Sequence, residues 1–138
     1  MPNPPIISHV SVGVSDVTRA KKFYNAALKP LGLKLYFDEP YGCAWGRGFP
    51  AFWAQRPFDQ RRASPGNGVH VCFNAASKAT VDSFYRAALK NGGRDDGPPG
   101  LRVDYTPNYY AAFVRDPDGN KIEALCFLSA AALKKIRR

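Results

Sequence analysis

Apolar positions in this chain keep two periods, and they alternate in the same order twice. HVSVGV (9–14) and HVCFNA (70–75) are short runs rich in β-branched and apolar residues, as strands prefer. Each is followed by a helical period. Ala20, Phe23, Tyr24, Ala27 and Leu28 fall at i, i+3, i+4, i+7 and i+8, and so do Val81, Phe84, Tyr85, Ala88 and Leu89. That spacing predicts two helices, each with one apolar face about two turns long. Ser15 or Asp16 before the first, and Ser77 before the second, supply N-cap oxygens for orphan amides. Gly32 and Gly92-Gly93 permit the left-handed turn that ends each helix. Strand-like runs then return. They are LKLYF (33–37), CAW (43–45) and AFWAQ (51–55) after the first helix, and YYAAFVR (109–115) and NKIEALCF (120–127) after the second. GGRDDGPPGLR (92–102) reads as a loop, and Asp116-Pro117-Asp118-Gly119 as a tight hairpin with Gly119 at positive φ.

The recurrence is a duplication. Residues 9–32 lie over residues 70–93 without a gap, with nine identities in 24 positions, including His9/His70, Phe23/Phe84, Tyr24/Tyr85 and Gly32/Gly93. Chance gives about one or two at ordinary amino-acid frequencies. The expected architecture is α+β: two tandem βαβββ modules whose mixed sheets curve into an open, barrel-like cleft. Module one spans 6–55, the linker 56–68 and module two 69–127, with a basic helical tail over 128–138, all within one domain.

Composition narrows the setting. With 45% hydrophobic and 13% aromatic residues the chain carries enough apolar surface for a core. The N-terminus, MPNPPIISHV, lacks a basic stretch followed by an apolar run, and no run approaches the roughly 20 apolar residues of a membrane span. A cytoplasmic protein without membrane partners is the expectation. Cys43, Cys72 and Cys126 form no CxxC pair and read as buried free thiols. The formal charge of +9 owes four positives to Lys134, Lys135, Arg137 and Arg138 in the last five residues. The rest are scattered apart from Arg56, Arg61 and Arg62, and no recognition-helix or RNP-like pattern appears, so a nucleic-acid partner is not expected. An anionic small substrate is a more modest use for the charge.

The repeat also organises the candidate chemistry. Both histidines of the chain, His9 and His70, occupy the same position of the duplicated first strand. Packed with pseudo-twofold symmetry, these strands lie side by side and both imidazoles face one cavity. Glu123 sits between Ile122 and Ala124 in the last strand, where a buried carboxylate needs a partner. A divalent metal is one such partner and a neighbouring arginine is another. Two imidazoles and a carboxylate leave positions open on a metal for water or substrate. The spacing does not distinguish Fe, Mn, Zn or Ni. Laying the two final hairpins over each other sets Trp53 of AFWAQ opposite Glu123, so the fourth, symmetry-related position is aromatic: a wall for substrate stacking or plain core packing. Arg47 in WGRG meets an anionic substrate or lies free on the surface. Tyr105, Tyr109 and Tyr110 are substrate-contact or proton-handling candidates, or packing aromatics.

At HVSVGVSD with FYNAALKPLGL, at GNGVHVCF and at AAFVRDPDGNKIEAL, the chain resembles the vicinal oxygen chelate superfamily: glyoxalase I, bleomycin-resistance proteins, extradiol dioxygenases and fosfomycin-resistance enzymes. The resemblance covers essentially the whole chain. It implies paired βαβββ modules and a metal held by His9, His70 and Glu123, with Glu123 also catalytic. Separately, a chain this small with so many apolar strands is expected to be a homodimer, its modules pairing within one chain or swapping between two. It implies a metal-dependent lyase or dioxygenase acting on a small substrate chelated through neighbouring oxygens. The alternative is a metal-free drug- or metabolite-sequestering protein of the bleomycin-resistance type. Trp53 replaces the fourth ligand of glyoxalase I, which argues against lactoylglutathione lyase activity. The absence of a third histidine removes the usual acid–base partner of ring cleavage.

Overall fold

The computed structural model describes residues 3–136. Module one runs β1 (Val10–Gly13), α1 (Val17–Leu28), β2 (Lys34–Glu39), β3 (Gly42–Gly46) and β4 (Pro50–Gln55). Module two repeats the order as β5 (His70–Asn74), α2 (Lys78–Lys90), β6 (Arg94–Leu101), β7 (Tyr109–Arg115) and β8 (Lys121–Phe127), followed by α3 (Ala130–Ile136). Arg137 and Arg138 of the expected basic tail lie outside the described residues. The two sheets have the same order, β1-β4-β3-β2 and β5-β8-β7-β6, each with one parallel pair at the edge and two antiparallel pairs. They remain two separate four-stranded sheets, the paired βαβββ architecture expected from the repeat.

The local signals explain these elements. Asp16 caps α1 by accepting from Arg19 N at 3.0 Å, and Ser77 caps α2 by accepting from Thr80 N at 3.2 Å. Ser15 Oγ is committed elsewhere, to the amide of Ala63 in the linker. All five positions of the α1 stripe are buried. On α2 the stripe is narrower: Val81, Phe84 and Ala88 are buried, Tyr85 is half-buried with its hydroxyl on Asp95, and Leu89 is exposed.

Two expectations fail. Residues 92–102 are not a loop, because Arg94–Leu101 form β6 against β7. This strand lies at the sheet edge and is broken by two register shifts, so Pro98 and Pro99 cost no central ladder bond. Cys72 is exposed while Cys43 and Cys126 are buried, because alternation puts Cys72 on the face that no helix covers.

One core serves both modules. Tyr24 lies 4.9 Å from Phe52 and 5.4 Å from Trp45 by ring centroids, and Phe52 meets Phe73 of the other module at 5.2 Å. Helices α1 and α2 lie against each other. Just beyond α2, Gly93 packs against α1, since a Cβ there would meet Phe23 Cε2 at 2.6 Å.

The β7–β8 hairpin then clamps module one. Gly119, at φ 91°, closes its turn by donating to Asp116 O at 2.9 Å. The buried Asp116 carboxylate accepts from Tyr24 OH at 2.6 Å, from Asn120 Nδ2 at 2.9 Å, and from the amides of Asp118 and Asn120. Asn120 Nδ2 also donates to Gly13 O, and Asp118 Oδ1 receives Ser15 N and Arg19 Nη2.

Candidate functional site

Alternation along module two sorts the site from the core. Val71 and Phe73 of β5, Ile122 and Ala124 of β8, and Tyr110, Ala112 and Val114 of β7 face the helices and join the core. His70, Cys72, Glu123, Tyr109 and Phe113 therefore stand on the opposite, open face. In register, Cys72 pairs with Glu123, and Phe113 opposes Glu123 from the other side.

These side chains close over the carboxylate. His70 Nε2 lies 3.1 Å from Glu123 Oε1, and Tyr109 OH donates to Glu123 Oε2 at 2.5 Å. The glutamate side chain is left only 3% exposed, whereas the imidazole is 45% exposed. Tyr109 pairs with Phe127, two same-face rungs from Glu123, so its ring must lean along the sheet past Ala111 and Leu125 to arrive. The small side chain of Ala111 leaves room for that path. The phenol's pKa is pushed well up, first by burial and then by its bond to Glu123, so it remains a donor. Desolvation, then the neighbouring carboxylate, push the Cys72 thiol up to about 12. Phe113 completes the floor, 6.4 Å from the His70 ring and overlaid by Arg102 and Lys121.

His9 stands apart from this cluster. It precedes β1, is exposed, and has Ser8 Oγ as its polar partner at 3.2 Å. Strands β1 and β5 are each the edge of their own sheet and do not pair with one another. His9 and His70 nonetheless line one cleft of about 920 Å³ between the modules. Its walls are mostly apolar, with Val10, Phe52, Val71 and Phe73 at the floor, and Arg47 lines it as well. One Arg47 donor is used, Nη2 to Leu31 O at 2.8 Å.

The remaining candidates are placed as follows. Trp53 pairs with Ser11, as Glu123 pairs with Cys72, so the two occupy equivalent places in the two sheets. Its indole is half-buried on the face away from α1, tilted against Phe37 with ring centroids 5.0 Å apart and donating to Pro50 O. Tyr110 points to the helix side, where it donates to Asp82 at 2.6 Å, and it takes no part in the Glu123 cluster. Tyr105 is exposed, its ring centroid 5.0 Å from that of Tyr109 in an edge-to-face arrangement.

Fit to a divalent metal follows from the donors. Two donors on one ion at roughly 2.0–2.2 Å, near a right angle, stand about 3.0 Å apart. The 3.1 Å between His70 Nε2 and Glu123 Oε1 meets that requirement. Among the described residues, however, no three His, Cys, Asp or Glu side chains gather in a metal-holding group. His70 and Glu123 thus bring two potential donors together, at a separation that is also that of a hydrogen bond between them. Among the described residues, too, no helix is long and apolar enough to cross a membrane.

Comparison with known proteins agrees with this construction. A Bacillus subtilis (strain 168) protein, uncharacterized YqjT, is 31% identical over an alignment of 124 residues that covers 83% of this chain and 94% of that protein. A glyoxalase/bleomycin resistance protein from Albidiferax ferrireducens T118 is 37% identical, with a TM-score of 0.79 over 88% of this chain and 98% of that one. A glyoxalase/bleomycin resistance protein/dioxygenase family enzyme from Burkholderia phytofirmans PsJN shares the fold at 18% identity, with a TM-score of 0.69 over 88% and 98% of the two chains. Residues 6–124, which span module one, module two as far as Ala124, and every residue of the Glu123 cluster, match a single family description, and the chain belongs to the Glyoxalase/Bleomycin resistance protein/Dioxygenase superfamily.

Proposed function

We propose that this protein is a divalent-metal-dependent enzyme of the lyase or dioxygenase kind, acting on a small substrate that offers neighbouring oxygens. The observation that carries the reading is the pair His70 Nε2 and Glu123 Oε1, held 3.1 Å apart beside an apolar cleft with a second histidine on its wall. When bound, the metal supplies Lewis-acid stabilisation of negative charge developing on substrate oxygens. His70 and Glu123 hold it, and His9 completes the set from the same chain or from a second copy. Arg47, with donors to spare, meets an anionic group, and the apolar walls keep water from the substrate.

A homodimer belongs to the same proposal. Phe127, on the Glu123 side of β8, is 61% exposed, and among the described residues no helix covers the open faces. Light scattering on the purified chain decides the assembly. Elemental analysis before and after chelation, followed by re-titration of wild type and His70→Ala, tests the metal. Stoichiometric metal in wild type and an affinity at least tenfold weaker in the variant are expected. Equal affinity in the two overturns the proposal.

A second reading, a metal-free binder of a drug-sized molecule, draws support from the cleft alone, since about 920 Å³ of mostly apolar space suits such a ligand. Tight binding of an apolar ligand that chelator leaves unchanged, together with a native protein free of metal, would favour it.

A further inference from the structure

The Glu123 carboxylate has two oxygens and two different neighbours. Oε1 faces His70 Nε2, and Oε2 takes the short bond from Tyr109. Left to itself, a glutamate carboxylate turns about a broad terminal torsion and offers either oxygen, or both together. Here the side chain is 3% exposed, so water does not fix it, and the Tyr109 hydroxyl does. The tyrosine comes from β7, two same-face rungs along the sheet, over the small Ala111. A bulky residue at 111 would block that approach.

We infer that Tyr109 is the positioning residue for Glu123, withdrawing Oε2 from the site so that Oε1 alone is presented, beside His70. This rests on the metal-dependent reading above and adds to it the manner in which the glutamate binds: through one oxygen. Hydrogen bonds of this outer kind fix the orientation and basicity of a ligand, and losing them weakens metal affinity by roughly 10–100-fold. Tyr110, next in sequence, is a built-in control. It also donates to a carboxylate, Asp82 at 2.6 Å, but on the helix side of the same strand.

The test is Mn(II) affinity of chelator-stripped protein, measured by paramagnetic resonance, for wild type, Tyr109→Phe, Tyr110→Phe, Glu123→Ala and the Tyr109→Phe/Glu123→Ala pair. Tyr109→Phe is expected to bind Mn(II) at least tenfold more weakly, while Tyr110→Phe matches wild type. In the Glu123→Ala background, removal of the Tyr109 hydroxyl should change nothing, because the tyrosine acts only through the glutamate. A purely structural tyrosine would lower thermal stability and leave Mn(II) affinity where it was, which overturns the inference while the metal reading stands. An equal loss in Tyr110→Phe overturns it in the same way. Wild type that binds no Mn(II) overturns both. If Tyr109→Phe does not fold, the wild type decides. The infrared carboxylate stretches of Glu123 with Mn(II) should show the wide separation of one-oxygen coordination, and the narrow separation of two-oxygen coordination overturns the assignment.

Discussion

Changing Tyr24 to Phe removes one oxygen from the middle of the joint between the modules and leaves the ring where it is. Its contacts with Trp45, Phe52 and Phe23 survive, so the packing change is minimal. What is lost is the 2.6 Å bond from Tyr24 OH to the buried Asp116 carboxylate. A hydrogen bond to a charged group contributes about 1.5–3 kcal/mol, and in a chain of this size that lowers the melting temperature by roughly 5–12 °C. The pH dependence is a sharper check. Burial raises the pKa of Asp116, while Tyr24, the Asn120 side chain and two backbone amides pull it back. With the folded pKa raised, the group's stabilising contribution is complete below the ordinary carboxylate range and is lost as pH rises through the folded value. Tyr24 donates to the ionised form, so its removal raises the folded pKa further. The penalty of Tyr24→Phe is therefore small in acid and full at neutral pH. Urea unfolding followed by the fluorescence of Trp45, 5.4 Å from Tyr24, reports it at both ends of the range in which the protein stays folded. A loss below about 0.5 kcal/mol at neutral pH, or the same loss at both ends, would refute the account of the joint.

Two further outcomes follow from the same geometry. Cys72 is exposed yet has its thiol held up to about 12, so at about pH 8 iodoacetamide should label it roughly a thousandfold more slowly than a free thiol. Glu123→Gln, which removes the neighbouring negative charge, should accelerate that labelling, and a free-thiol rate in wild type, read by mass spectrometry, would contradict it. Gly93→Ala places a methyl 2.6 Å from Phe23 Cε2 and 2.8 Å from Ala88 O, and should lower stability by about 1–3 kcal/mol in thermal unfolding. A wild-type midpoint would show that the backbone at Gly93 is not packed closely against Phe23 and the end of α2.

Much of this molecule was legible in the order of its residues. The α1 stripe came out position for position, and the duplication carried the order of elements from one half to the other. β6 was hidden because RDDGPPGL has neither alternation nor β-branched residues, and it forms only because β7 offers an edge that tolerates bulges and prolines. Cys72 was misjudged because its neighbours are apolar while its own side of the strand is not covered. In the site, the repeat singled out His70, and strand position singled out Glu123. The grip of Tyr109 on Glu123 was not legible, since it depends on a ring crossing two rungs, which becomes visible only once the register is known. Nor does sequence show that His9, at the matching position in the repeat, stands just outside β1 and away from the carboxylate.

Trp53 and Glu123 hold the same rung of the two sheets, each opposite an edge-strand residue, Ser11 or Cys72, that the repeat aligns. Backbone pairing at that rung is indifferent to what it carries, an indole in one half and an ionisable carboxylate in the other. The fold thus behaves as a frame with one interchangeable tile per half. A single codon at that tile turns a concave face from aromatic to ionic without disturbing the strand beneath it. The two halves of this chain, built to one plan, thus present an aromatic side chain in one and an ionisable one in the other.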